Sequence, residues 1–244
     1  MLEKIDSFGF PEGETIGWKY EVLSRLGSGW EAEVYLLREI ETGIERAGKF
    51  FFPHRNVKSK ASRFYAKKLH KLRHCPTIIQ YYTQETIYIE GNPVQFLVSD
   101  YVDGPILEDF IKGQPGSRLG VFQSLHLLHA LAKGFEPIHM MKEYHGDLHT
   151  GNIIVHRYGL HFDLKVLDFF HYGASTREHV FEDVVEMIRI FFEALGGPKF
   201  YSKQPREVKE IVCGMKQSLI RKKFRHAGHL RAHLENMVWE TPTR

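Results

Sequence analysis

The residues best suited to chemistry lie in Tyr144-His145-Gly146-Asp147-Leu148-His149-Thr150-Gly151-Asn152, followed further on by Asp168-Phe169-Phe170. Asp147 and Asn152 stand five apart, between a helical pattern and the apolar run Ile153-Ile154-Val155. A second strand, Leu164 to Leu167, ends at Asp168, and Arg157-Tyr158-Gly159 marks the turn between the strands. A hairpin with Asn152 at its start and Asp168 at its end can bring the two together, with Asp147 nearby. One amide and two carboxylates on converging loop ends suit a hard cation such as Mg²⁺ and an attacking hydroxyl. Turn formation, the plainer use of Asp and Asn at strand ends, stays open at this point. His145 and His149, four apart, flank a glycine-rich loop instead of sharing a helix face, which favours structural hydrogen bonding over zinc.

Two features of the first half bear on phosphate. Gly27-Ser28-Gly29 stands between apolar alternating segments, and small residues at a hairpin tip let backbone N–H groups approach a phosphate. The segment after Gly29 reads as strand, so the pattern is strand-loop-strand and not the strand-loop-helix of a dinucleotide fingerprint. An ordinary hairpin turn is the alternative. Lys49 lies in the apolar strand Arg46 to Phe52, beside Phe50 and Phe51, where a buried ammonium needs an anionic partner.

Strands over 19–52 bring these groups together, with a Thr42-Gly43 turn. A helix over 58–73 follows, then strands Ile78 to Ile89 and Pro93 to Tyr101. That gives five strands and one helix in the first hundred residues. Asp103-Gly104-Pro105 interrupts the pattern as a candidate hinge. A short helix is expected over Leu107 to Lys112 and a long one over Ser124 to Met141, apolar at Leu127, Leu128, Leu131, Phe135 and Ile138. Helices complete the chain, the last ending near Trp239. The expected fold is α+β and bilobal, with a β-rich unit over 1–99 and a mainly helical one over 100–244.

The 244 residues are 43% hydrophobic and 26% charged, which excludes disordered, collagen-like and coiled-coil classes. Two cysteines, Cys75 and Cys213, cannot build a disulfide framework and suit a reducing compartment. No signal-like segment or run of about 20 apolar residues occurs, so a soluble, cytoplasmic protein is expected. A net charge of +3 does not itself argue for nucleic acid. The charge is uneven, however: no acid lies between Glu45 and Glu85, an interval that includes Lys58, Lys60, Arg63, Lys67, Lys68, Lys71 and Arg73. The helix bearing them can be a solvated face or a dock for an acidic partner, anionic headgroups or nucleic acid. A second basic cluster, Arg221 to Arg225, is expected to decorate the last helix.

Taken in order, these segments resemble the protein kinase-like superfamily. Leu26 to Val34 resembles its glycine-rich loop, with Ala32 where the third glycine would stand. Ala47-Gly48-Lys49 is similar to the strand carrying the phosphate-binding lysine, and His74-Cys75-Pro76 to the turn after the αC helix. Leu97 to Gly104 resembles the hinge, with Ser99 as gatekeeper. His145 to Asn152 resembles the catalytic loop, Asp168-Phe169-Phe170 the metal-binding motif, and Phe181 to Val184 the start of the αF helix.

The resemblance implies ATP and Mg²⁺ as cofactors. ATP would contact Gly27, Ser28, Gly29, Val34, Lys49, Ser99, Asp100 and Tyr101. Asp147 would orient or deprotonate the acceptor hydroxyl, while Asn152 and Asp168 would bind Mg²⁺.

Five departures bear on mechanism. No αC glutamate faces Lys49; Tyr65 stands near its place, leaving Glu31, Glu33 and Glu85 as candidate partners. Gly146 replaces an arginine, which argues against activation through a phosphorylated loop. His149 replaces a lysine, as in aminoglycoside and lipopolysaccharide-sugar kinases. Phe170 replaces a glycine. The segment from Asp168 to Asp183 is short and lacks Ala-Pro-Glu, although Ser175 and Thr176 are available for autophosphorylation. The resemblance favours an atypical, bacterial-type serine/threonine kinase acting on a protein hydroxyl. A small-molecule or sugar kinase and a nucleotide-binding pseudokinase are the alternatives.

Overall fold

The computed structural model describes residues 4–169 and 173–238. The chain divides into two compact units, one up to His74 together with Ile78–Asp103, the other Cys75–Thr77 together with the chain from Gly104 on.

The first unit is an antiparallel sheet with one helix. Its strands are β1 (Thr15–Ile16), β2 (Tyr20–Ser28), β3 (Ala32–Glu39), β4 (Glu45–Phe51), β5 (Tyr81–Ile89) and β6 (Asn92–Asp100), in the order β1-β2-β3-β4-β6-β5. The sheet therefore has six strands where five were expected. The sixth, β1, is too short to show alternation and is defined by its pairing with Tyr20 and Glu21. β5 starts at Tyr81, not Ile78. Residues of period two divide the sheet into faces. Tyr35, Leu37, Phe50, Phe96 and Val98 build the core on one face, and Phe8 and Phe10 from the N-terminal segment pack against it. Lys49, Val34 and Leu97 share the other parity, with Lys49 paired in register to both.

The helix α1 (Lys60–Lys71) starts later than expected, because Lys58 and Ser59 take left-handed backbone angles in a preceding 3₁₀ turn. Asn56 caps it: its Oδ1 accepts from the Ser62 N–H at 3.1 Å. Its basic face needs one correction. Lys68 is buried, 3% exposed, with Nζ 5.6 Å from the centre of the Phe64 ring, because position 68 falls on the same face as buried Tyr65 and Leu72.

The second unit contains α2 (Leu107–Lys112), α3 (Val121–Met140), the hairpin β7 (Ile153–Tyr158) and β8 (His161–Val166), and then α4 (Arg177–Ala194), α5 (Pro198–Tyr201), α6 (Arg206–Val212), α7 (Gln217–Lys223) and α8 (Ala227–Asn236). Leu127, Leu131 and Phe135 of α3 and Val184, Ile188 and Phe191 of α4 are buried, and α3 packs against α4, α8 and β8. The hairpin pairs Ile153 with Val166 and turns at Gly159-Leu160. Residues 75–77 belong here because the Val166 N–H donates to Thr77 O at 2.8 Å and Lys165 Nζ to Pro76 O at 2.5 Å.

The single final helix expected near Trp239 is two helices. They break at Phe224, which is buried with extended backbone; Trp239 lies outside the described residues. Arg221 decorates α7, not the last helix. It pairs with Glu178 at 2.7 Å and stacks 3.9 Å over Phe181.

Candidate active site

In the second unit, the loop between α3 and β7 is built around a buried carboxylate on α4. Asp183 is 1% exposed. It accepts from the His145 N–H at 2.7 Å, the Gly146 N–H at 3.1 Å and His139 Nε2 at 3.2 Å. His139 Nδ1 in turn accepts from the Ala227 N–H at 3.0 Å, which places the ring proton on Nε2. One carboxylate thus ties α3, α4, the start of α8 and the loop backbone together. Charge-assisted bonds of this kind are about twice as strong as neutral ones.

His145 fixes the next two groups. Its Nδ1 accepts from the Asp147 N–H at 3.1 Å, so its Nε2–H faces Leu167 O at 2.6 Å. The same imidazole therefore sets the backbone of Asp147 and of the residue before Asp168. Its ring also lies 4.6 Å from that of Phe169. Asn152 completes the loop by donating from Nδ2 to Asp147 O at 2.9 Å, with Asp147 Oδ2 at 3.5 Å. Asp168 has φ +53°, a left-handed angle uncommon for a non-glycine residue and concentrated at functional sites. His149 Nδ1 accepts from the Gly151 N–H, and its Nε2 lies 3.9 Å from Asp147 Oδ2. Both loop histidines make structural hydrogen bonds, and the described residues contain no metal-binding cluster of histidine, cysteine or acid side chains.

In the first unit, Gly27 and Ser28 end β2, and Gly29 turns the chain by donating to Ala32 O at 2.9 Å. Trp30 at the tip is held beneath the Arg55 guanidinium, 4.1 Å from the ring centre. Lys49 Nζ lies 3.4 Å from Glu31 Oε1 and 4.4 Å from the centre of the Tyr65 ring. The other candidate acids are engaged elsewhere. Glu33 binds Tyr35, Ser7, the Phe8 N–H and Arg25, and Glu85 binds Lys19 and Tyr20. On β6, Ser99 is buried and Asp100 accepts from Tyr82 at 2.5 Å and lies 3.5 Å from Arg46; just past the strand, Tyr101 faces Asp103.

Comparison with known proteins assigns the chain to a family. The family described as "Protein kinase domain" matches residues 20–186. The chain belongs to that family. It is 28% identical over 161 residues, 65% of its length, to the "Probable serine/threonine-protein kinase" of Streptomyces coelicolor. It is 27% identical over 160 residues, 64% of its length, to serine/threonine-protein kinase PrkC of Bacillus subtilis. It spans 23% of the length of each of these curated relatives. The crystal structure of the kinase domain of PknI from Mycobacterium tuberculosis, a double mutant, shares the fold with a TM-score of 0.66 at 17% identity, over 93% of this chain and 97% of that one.

Within this kinase-family chain the departures acquire physical form. Gly146 has φ +85°, an angle that L side chains rarely adopt, so the loop as folded disfavours a longer side chain at this position. Tyr65 does occupy the neighbourhood of the missing αC acid, offering a ring face to the ammonium. Phe170 lies outside the described residues. Among the described residues no helix is long and apolar enough to cross a membrane.

Sequence reasoning noticed Asp183 only as the start of a helix and passed over His139 entirely. Each is a polar residue on an apolar helix face, and that is the signal that could have exposed them.

Proposed function

We propose that this chain is an ATP-dependent phosphotransferase that carries the γ-phosphate to a protein serine or threonine hydroxyl. The observation that supports it most is the loop in which one Asp183 carboxylate and one His145 ring orient the backbones of Asp147 and Leu167, next to Asn152 and Asp168. Asp147 would hold the acceptor hydroxyl and take its proton as the oxygen–phosphorus bond forms and the β–γ bridging bond breaks, leaving ADP. Lys49 would hold the α- and β-phosphates, and the N–H groups around Gly29 would border them.

The donor set suits Mg²⁺. Asn152 uses its NH₂ within the loop, leaving its amide oxygen for a cation, and Asp168 supplies a carboxylate. Bound there, Mg²⁺ would neutralise charge on the β- and γ-phosphates.

ATP turnover with protein, autophosphorylation and sugar acceptors tests the proposal. Asp147→Asn and Asp168→Asn should each lower phosphate transfer to serine or threonine by about 10²–10⁴-fold. Labelling of sugars alone would establish the second reading, a small-molecule kinase, which His149 beside Asp147 favours. Nucleotide binding without transfer to any acceptor would establish a pseudokinase. A separate role for α1 rests on Arg63, Lys67 and Lys71, spaced four apart and exposed, with Lys60 and Lys58 near its start. These form a cationic stripe for an acidic partner, whose binding should weaken steeply with salt.

A further inference from the structure

The second unit contains a cavity of about 580 Å³ that the residues above do not use. One wall is the connection from α2 into α3, with Arg118, Gly120 and Gln123; the other follows α4, with Phe200, Lys203 and Gln204. Its volume falls in the range of small-molecule sites, roughly 300–1,000 Å³.

Four features of the cavity point to an anion. No aspartate or glutamate lines it. Arg118 and Lys203 make no ion pair among the described residues; the Arg118 guanidinium carbon lies instead 3.9 Å from the centre of the Phe200 ring. Gln204 is 8% exposed, and its side-chain amide has no hydrogen-bond partner among the described residues. Gln204 lines the cavity, so this amide is available to a molecule bound there. Finally, the twenty-residue helix α3 begins at this wall with Gly120 as its cap; Gln123 Oε1 accepts from the Gly120 N–H at 3.0 Å, and glycine places no side-chain oxygen of its own on the N–H groups that follow.

The cavity is also shaped by its sequence. A Cβ on Gly196 would lie 2.4 Å from Phe200 Cδ2 and 3.2 Å from Arg118 Cδ, and Gly196 has φ +96°. Only glycine gives the Arg118–Phe200 stack this room.

We propose that this cavity binds a small phosphate monoester. A dianion is favoured over a single carboxylate because cations from two separate segments meet a helix N-terminus. The planar fork of Arg118 matches two phosphate oxygens. Gln204 would donate to the phosphate or an adjoining hydroxyl, while Phe200 and Leu119 cover the apolar part of the ester. The site is independent of the proposed phosphotransfer.

Calorimetry at low ionic strength without Mg²⁺, using inorganic phosphate and then phenyl phosphate, tests this on the full chain. Both should bind, phenyl phosphate more tightly, and the Gln204 side-chain amide resonances should shift. Arg118→Gln should weaken binding by about tenfold or more, and Lys203→Gln by several-fold. Lys49→Met should leave it unchanged, which separates this site from a nucleotide site. Equal affinity in wild type and in both Arg118→Gln and Lys203→Gln, each folded by thermal melting, would overturn the proposal, as would loss of binding in Lys49→Met. Binding of a phosphoserine peptide tenfold tighter than phenyl phosphate would replace the small-molecule assignment with a docking one.

Discussion

Asp147 and Lys49 are the two groups on which phosphotransfer would rest, and the protein secures them by opposite means. The Asp147 loop is bonded through its backbone to a carboxylate whose side chain is 2% exposed, so water cannot compete for the contact. The Lys49 ammonium leans on Glu31, whose side chain is 27% exposed, and on the face of Tyr65. Buried charge-assisted networks fix geometry, whereas partly solvated pairs contribute little and adjust easily. The difference gives precision to the Asp147 loop and adaptability to Lys49, the groups that under the proposed function would handle the proton and hold the phosphates.

The most severe way to break this contrast is Asp183→Ala. It would leave the His145 and Gly146 N–H groups and the His139 Nε2–H facing a void. A loss of about 3–5 kcal/mol in urea unfolding is expected, with phosphate transfer reduced beyond what the lost stability explains. Asp183→Asn keeps the volume but turns an NH₂ towards donors, so transfer should still fall while more stability survives. A change under about 1 kcal/mol for Asp183→Ala would mean that the loop is held by something else.

The first unit has its own buried carboxylate, yet devotes it to the N-terminal segment instead of Lys49. Glu33 is fully buried and accepts from Tyr35 at 2.6 Å, Ser7 at 2.8 Å and the Phe8 N–H at 3.1 Å, with Arg25 beside it. Burial pushes its pKa up, but these donors outweigh burial and the net direction is down. Burial, with Glu33 alongside, pushes the Tyr35 phenol up to about 12, so it remains a donor at neutral pH. Glu33→Gln should cost roughly 1.5–3 kcal/mol. Because the folded pKa lies below the unfolded one, this stability is present above about pH 4.5 and is lost as pH falls through the folded value. Wild type should therefore lose more stability on acidification than Glu33→Gln does, and identical losses would refute the assignment.

Which of these features the sequence could show depends on how each is made. Alternation and glycine placement located β2 to β4, and the spacing of Asp147, Asn152 and Asp168 was legible because loop chemistry is written in contiguous residues. β1 escaped because two residues carry no period. Lys68 reads as part of the basic face by its charge, yet its place one turn along from Tyr65 and Phe64 buries it. The choice among Glu31, Glu33 and Glu85 was beyond the sequence, because Tyr35, Ser7 and Lys19 had already claimed two of them through contacts that only folding creates. His139 was hidden for the same reason: its partners, Asp183 and Ala227, lie 44 and 88 residues away.

A smaller effect sharpens the contrast at Lys49. Glu31→Gln and Tyr65→Leu should each raise KM for ATP by only a few-fold, since each leaves the other contact in place. The double variant should lose more than the sum of the two losses if the contacts substitute for one another. A hundredfold loss from Glu31→Gln alone would show that the lysine is held as rigidly as the loop.

The smallest expected effect lies where α8 joins the Asp183 network. His226 precedes α8, its ring centre 3.9 Å from that of His229. Burial lowers its pKa first, then the neighbouring His229 and His139, with Glu136 opposing. The unfolded chain therefore binds a proton more readily. This contribution is full above about pH 6.5 and is lost as pH falls through the folded value. His233 on α8 shifts in the same direction, again mainly through burial. Melting temperature should accordingly fall from about pH 7.5 to about pH 5.5, and fall less in His226→Asn. Because the Ala227 N–H holds His139, and His139 holds Asp183, loosening this end of α8 by acid should reach the Asp147 loop before it reaches Lys49. KM for ATP should then stay level over the interval in which kcat begins to drop; a parallel change in both would show that the two groups are not held independently.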